Sequence, residues 1–300
     1  MNEIWLDIKQ RFKKGDILTR LIYVNVAVFL AFVLFAILRG LFTGLGFGDS
    51  GWLFASWVAL PTNSFIEAIF KPFSLITHMF VHIGFSHILW NMVGLYFLGR
   101  LFLNYFSQKQ LFGLYLLGGL MGGIVLLIIT NLSPLFKTEG YAWGASAAVM
   151  AITIGIAAYT PNTMIRPFGI FNVKLKWIGI AVVLLDLINF YDSNTGGHIG
   201  HLAGAAAGYW FAASFRQGKD ITAGINKLID RLTGLFKRKP KMKVVYSQEK
   251  VRKMSDEEYN VNQKVTQAEI DSILDKISAS GYSSLTKREK DILFHYSNKK

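Results

Sequence analysis

The sequence predicts an all-α membrane protein, a six-helix transmembrane bundle followed by a small soluble helical C-terminal unit. Three observations predict it. Hydrophobic residues make up 52% of the 300-residue chain, and several apolar runs approach the roughly 20 residues that a helix needs to cross a bilayer. The formal charge of +13 is gathered on one set of loops and on the tail, the pattern of a multi-pass membrane protein rather than a nucleic-acid binder. Beyond about residue 217 the composition turns polar and basic, with "KRKPKMK" at residues 237–243.

Six spans follow in order, at about 21–38, 83–105, 110–131, 145–160, 175–191 and 199–215. The first is a retained span, because no small-residue cleavage site follows its apolar run. The last three are short and rich in Gly and Ala, which suits a packed bundle interior. Basic residues mark the N-terminal segment, the loops with Arg100 and Lys109 and with Arg166, Lys174 and Lys176, and the tail. The opposite loops carry only Arg39, Lys71 and Lys137. Both termini are therefore expected in the cytoplasm, in a cell (inner) membrane. The segment 40–77 is apolar and aromatic, as in "WLFASWVAL", and is expected to lie in the interface. The domains read as a cytoplasmic N-terminal segment 1–20, a six-span domain 21–215, a basic polar linker 216–265 and a small helical cytoplasmic unit 266–300. In that last unit Thr266 with Glu269 fits a capping box, and "SSLTKREKDILFHY" reads as a second capped helix. Residues 237–243 suit anionic lipid headgroups or a solvated linker.

The chain has no cysteine, which excludes disulfides, thiolate catalysis and Cys-ligated metals. Chemistry would have to come from histidine. Five of the six histidines fall in two stretches, "HMFVHIGFSHILWN" with His78, His82, His87 and Asn91, and "GGHIGHLAGAAAGY" with His198 and His201. Polar groups at membrane depth are functional candidates by default. His78 and His82 are spaced i,i+4, as are His87 and Asn91, so each pair is expected to share a helix face. Three chemistries can use them. Metal hydrolysis lacks a His-Glu-x-x-His motif and a nearby acid, and no metal or other cofactor is expected. Transport could use the histidines and Asp186 of the fifth span, but no internal repeat is visible. Serine catalysis needs a hydroxyl, a base and oxyanion donors. Ser146 opens the fourth span in "YAWGASAAVMA" and His201 opens the sixth, so both should lie at the depth of His87 and Asn91. Two small-residue ridges, Gly200, Gly204, Gly208 and Ala147, Ala151, Gly155, would let the fourth and sixth spans approach closely.

Together, Gly144-Ala145-Ser146, His201 followed by Gly204 and Gly208, and His82, His87 and Asn91 in the second span resemble the rhomboid family of intramembrane serine proteases over about residues 20–215. The resemblance implies a six-helix bundle of rhomboid type. It implies Ser146 as nucleophile and His201 as base in a dyad, with Asn91, His87 and the Ser146 N–H as oxyanion donors. Gly144 fits the glycine that precedes the nucleophile. His82, His198, Met150, Gly204 and Gly208 are supporting positions. No carboxylate is expected beside His201. The implied substrates are single-span membrane proteins cleaved within the lipid bilayer, with no nucleic-acid partner. The alternative is a non-catalytic rhomboid-like protein that binds membrane clients. The chain departs from the family pattern at Ala147 after the serine, at Met150 where an aromatic is usual, at "FKPF" in the first external loop and at Leu103. The C-terminal unit resembles a short helical appendage of some bacterial rhomboids.

Overall fold

The structure is a computed structural model that describes residues 15–44, 46–133, 136, 140–190, 194–236 and 256–297. Most of the expected N-terminal segment, Lys137 and the basic run 237–243 lie outside the described residues. The chain divides into two compact units, Met1–Lys237 and Arg238–Lys300.

The first unit opens with α1 (Ile17–Thr43), capped by the Asp16 carboxylate, which accepts from the Thr19 N–H at 2.9 Å. The apolar segment expected in the interface contains helix α2 (Phe47–Val58), the short strand β1 (Leu60–Pro61) and α3 (Phe65–Phe70), whose N-cap is Ser64. A single turn, α4 (Ser74–Thr77), then runs into a 3-10 turn at His78–Phe80. The chain breaks at residues 81–84 and resumes as α5 (Phe85–Phe102) at 93° to the limb before it. Gly84 makes that corner with φ of 92°, a conformation that side chains with a Cβ resist. His78 and His82 therefore do not share a helix face, because the helix ends between them. His87 and Asn91 do, and the Asn91 amide donates to the His87 carbonyl at 2.9 Å.

The remaining helices are α6 (Gln108–Leu132), α7 (Ser146–Tyr159), α8 (Leu175–Ile188) and α9 (Thr195–Arg216). A capping box of Ser107 and Gln110 starts α6. Strand β2 (Tyr141–Ala142) pairs antiparallel with β1, and β3 (Met164–Ile165) with β4 (Val173–Lys174). The six expected spans thus correspond to α1, α5, α6, α7, α8 and α9. Among the described residues, α1 and α6 are each long and apolar enough to cross a bilayer alone, and the bent α4–α5 pair makes a third span. The 14 residues of α7 rise only about 21 Å against a hydrocarbon core of about 30 Å. One end of α7 must therefore stop inside the membrane.

Small residues hold the bundle centre together. A Cβ on Gly204 would strike the Ala147 carbonyl, and one on Gly208 the Ala151 carbonyl. On the other side of α7, a Cβ on Gly118 would meet the Ala151 methyl, and one on Gly122 would lie 2.6 Å from the Ala147 methyl. The ridges on α7 and α9 pack as the sequence leads one to expect. The glycines of α6 form a third, and the methyl of Ala147 is accommodated by Gly122. Near the end of α6, Thr130 and Asn131 both donate to the Thr62 carbonyl, at 2.5 and 2.7 Å.

Residues 223–236, expected within a polar linker, form the helix α10 (Ala223–Phe236). It sits against the start of α6, where Gly113 leaves room for Thr222 and Asn226 and where Lys109 bridges Asp230 at 2.7 Å. A polar stretch reads as linker until its Ile221, Ile225 and Ile229 are seen packing on the core.

The second unit pairs α11 (Asp256–Ser280) with α12 (Lys287–Ser297) over Ile270, Ile273 and Leu285. The α11 helix runs through Thr266, so no helix starts there and the expected capping box is absent. The capping box of this unit lies at Thr286 and Glu289, where the Glu289 carboxylate accepts from the Thr286 N–H at 2.7 Å. Hydrogen bonding to Lys276 first, and to Thr286, holds the Glu289 carboxyl at about 2.

Gly204→Ala is expected to lower the thermal midpoint in detergent by an amount equivalent to about 1–3 kcal/mol of overpacking. Gly224→Ala, where no atom lies within 4 Å of the added methyl, should cause no loss. Melting both variants beside the parent chain checks this.

Candidate active site

The site grows from the loop 143–145 that leads into α7. Gly144 has φ of 117°, and its N–H donates to the His78 carbonyl at 2.8 Å. The next N–H, of Ala145, donates to His82 Nε2 at 3.3 Å. The broken helix before α5 thus grips the loop twice. His78 is itself anchored, its Nδ1 bonded to the Ser74 carbonyl at 2.8 Å. Both histidines serve the backbone, and His82 is fully buried. A Cβ on Gly144 would lie 2.8 Å from His87 Nε2 and 3.8 Å from Ser146 Oγ. Glycine is required both by the backbone angle and by the imidazole pressed against it.

Ser146 is the first residue of α7. The first N–H groups of a helix have no partner within it, so the Ser146 N–H is not consumed by α7. Ser146, His201, His87, Asn91, Met150 and Trp143 line one cavity of about 1010 Å³. Four polar candidates taken from three spans thus meet in a single space. Among the described residues no hydrogen bond joins Ser146 to His201.

One expectation is corrected. A carboxylate does lie beside His201. Asp186 Oδ1 is 2.8 Å from His201 Nδ1 and 2.6 Å from His198 Nδ1. His198 and His201 lie on α9, 12 and 15 residues after Asp186, and the carboxylate meets them because α8 packs beside α9. The sole hint in the sequence was an acid in an otherwise apolar span. Within this cluster His201 lines the cavity and His198 does not. The ligand atoms of Asp186, His198 and His201 all fall within 4.8 Å of one another. Their N–O separations are hydrogen-bond lengths, however, whereas donors around a tetrahedral zinc sit roughly 3.3 Å apart. The arrangement is a hydrogen-bonded cluster.

A bundle of apolar helices that gathers a half-buried serine and two imidazoles around a large cavity, with a buried carboxylate bonded to one of those imidazoles, defines a class, the polytopic membrane proteins with an intramembrane polar site. Comparison with known proteins narrows it. Residues 70–218 match the Rhomboid domain family, and residues 254–299 match a family of unknown function, DUF6576. The chain is 31% identical over 160 residues to "RHOMBOID-like protein 12, mitochondrial" of Arabidopsis thaliana, covering 49% of this chain and 47% of that protein. The chain therefore spans about half the length of this curated relative. It belongs to the rhomboid family.

Replacing His82 by Phe leaves the buried Ala145 N–H without its acceptor. The expected cost is about 1–3 kcal/mol, read as a lower melting temperature in detergent.

Proposed function

We propose that the protein is an intramembrane serine endopeptidase that cuts transmembrane segments of single-span membrane proteins. The observation that carries this reading is the opening of Ser146, His201, His87 and Asn91 onto one cavity. A substrate helix must unwind first, because its carbonyls are already bonded within the helix. Ser146 Oγ then attacks the scissile carbonyl carbon while His201 accepts the hydroxyl proton. The tetrahedral oxyanion is met by the Ser146 N–H, the Asn91 amide and His87. The C–N bond breaks as His201 returns the proton to the leaving amine. Water, activated by the same imidazole, hydrolyses the acyl-enzyme. The short α7 favours this scheme, since a helix starting inside the membrane puts its N–H groups where water in the cavity can reach.

The second reading is a non-catalytic rhomboid-like protein that binds membrane clients without cutting them. It is favoured by the lack of a Ser146–His201 hydrogen bond among the described residues. The two readings separate on the reactivity of Ser146. A fluorophosphonate probe should label the parent chain and leave Ser146→Ala unlabelled. Ser146→Ala and His201→Ala should each abolish cleavage of a reconstituted single-span substrate. Binding of that substrate with neither labelling nor cutting would support the client-binding reading.

The same reading puts the chain in a cell (inner) membrane with both termini in the cytoplasm. It rests on six helices between the termini and on the basic loops. Because the chain has no cysteine, single probes are simple to place. Lys219→Cys should react with an impermeant maleimide only from the cytoplasmic side, and Asn63→Cys only from the opposite side.

A further inference from the structure

Asp186 stands out on its own helix. Of the 14 residues of α8, only Leu175, Gly179 and Asp186 are buried. Its neighbours Leu184, Leu185, Leu187 and Ile188 are 50%, 57%, 51% and 76% exposed, the pattern of a face turned to lipid. A carboxylate at membrane depth is costly unless it is paired. Here it has two partners on α9, and both meet the same oxygen, Oδ1.

That geometry sets the protons. An ionised carboxylate can only accept, so Nδ1 of His198 and Nδ1 of His201 each carry a hydrogen. In a neutral imidazole the other nitrogen then holds the lone pair. For His201, which faces the cavity shared with Ser146, that nitrogen is Nε2. We propose that Asp186 is a positioning residue for His201. It fixes the tautomer and ring orientation in which Nε2 is the base, and it stabilises the imidazolium that forms when the Ser146 proton moves to Nε2. The proton on Nδ1 stays on the ring throughout, and Asp186 remains ionised. His198 holds the shared oxygen from a second direction and keeps the carboxylate from turning away. The unit is then Ser146 on α7, His201 on α9 and Asp186 on α8, in place of the expected dyad. This inference rests on the protease reading.

The titratable groups around His201 are Asp186 and His198 on one side and, from α5, His87 lining the same cavity. The test uses the full chain in detergent, as parent, Asp186→Asn and Asp186→Leu, with histidine side-chain nitrogen NMR assigned by His201→Gln. The parent should show His201 as the Nδ1–H tautomer, and Asp186→Leu should show mixed tautomers. Cleavage by Asp186→Leu should lose roughly 100-fold or more in kcat with KM within about twofold. Asp186→Asn, which keeps an acceptor oxygen, should lose less and carries the test if the Leu variant does not fold. The acid limb of the kcat/KM profile should move to lower pH in both, because removing the negative charge disfavours the imidazolium. A purely structural role would lower yield or melting temperature and leave that limb in place. An Nε2–H tautomer in the parent, or an unchanged acid limb and kcat in Asp186→Leu, would overturn the proposal. If the parent neither cuts nor labels while the His201 tautomer still depends on Asp186, the protease reading fails and the positioning contact stands.

Discussion

The close approach of three helix backbones is the constraint on which the rest depends. Apolar side chains gain little by leaving lipid for a protein interior, so packing contact must hold a membrane bundle together. Here α7 is clasped between α6 and α9 at positions where neither partner tolerates a Cβ. Gly204 and Gly208 rest on the carbonyls of Ala147 and Ala151, and Gly118 and Gly122 rest on the methyls of the same two residues. Ser146 directly precedes Ala147, and His201 lies one turn before Gly204. The contact that seals the bundle therefore also sets the depth and the separation of the two polar residues.

A second constraint comes from the length of α7. A 14-residue helix cannot span the hydrocarbon core, so chain without helical hydrogen bonding must descend into the membrane to meet it. That chain is tolerated only where other groups satisfy its backbone. His78 and His82 do this for Gly144 and Ala145, and the corner at Gly84 brings them there. The result is a helix start held in place inside the bundle, with its first residue, Ser146, lining a cavity. The same principle explains the carboxylate. Asp186 is accommodated on a lipid-facing helix because two imidazoles wait for it on the next one.

Much of this was legible in the sequence. The six helices follow from apolar runs that end at Gly, Pro and charged residues. Ser146 and His201 could be placed at one depth because each opens a span, and the small-residue ridges beside them implied that the two spans approach closely. Other features were hidden. His78 and His82 have the spacing of one helix face, but only the packed structure shows the break between them. Thr266 looked like a helix start, although α11 continues through it, since a capping motif is a local signal that an unbroken helix can also contain. The packing role of the α6 glycines is visible only through the partners they admit.

The residues alone determined which segments leave water, how many helices they form, and which few polar side chains are carried into the membrane. These depend on local composition and periodicity, which act over a few turns of chain. The tertiary structure decided which polar groups touch. The pairing of Asp186 with His198 and His201 joins separate helices, and a hydrogen bond of 2.6 or 2.8 Å depends on the distance and rotation between them. Those are set by the sum of side-chain volumes across the whole bundle, a quantity that no short stretch of sequence contains.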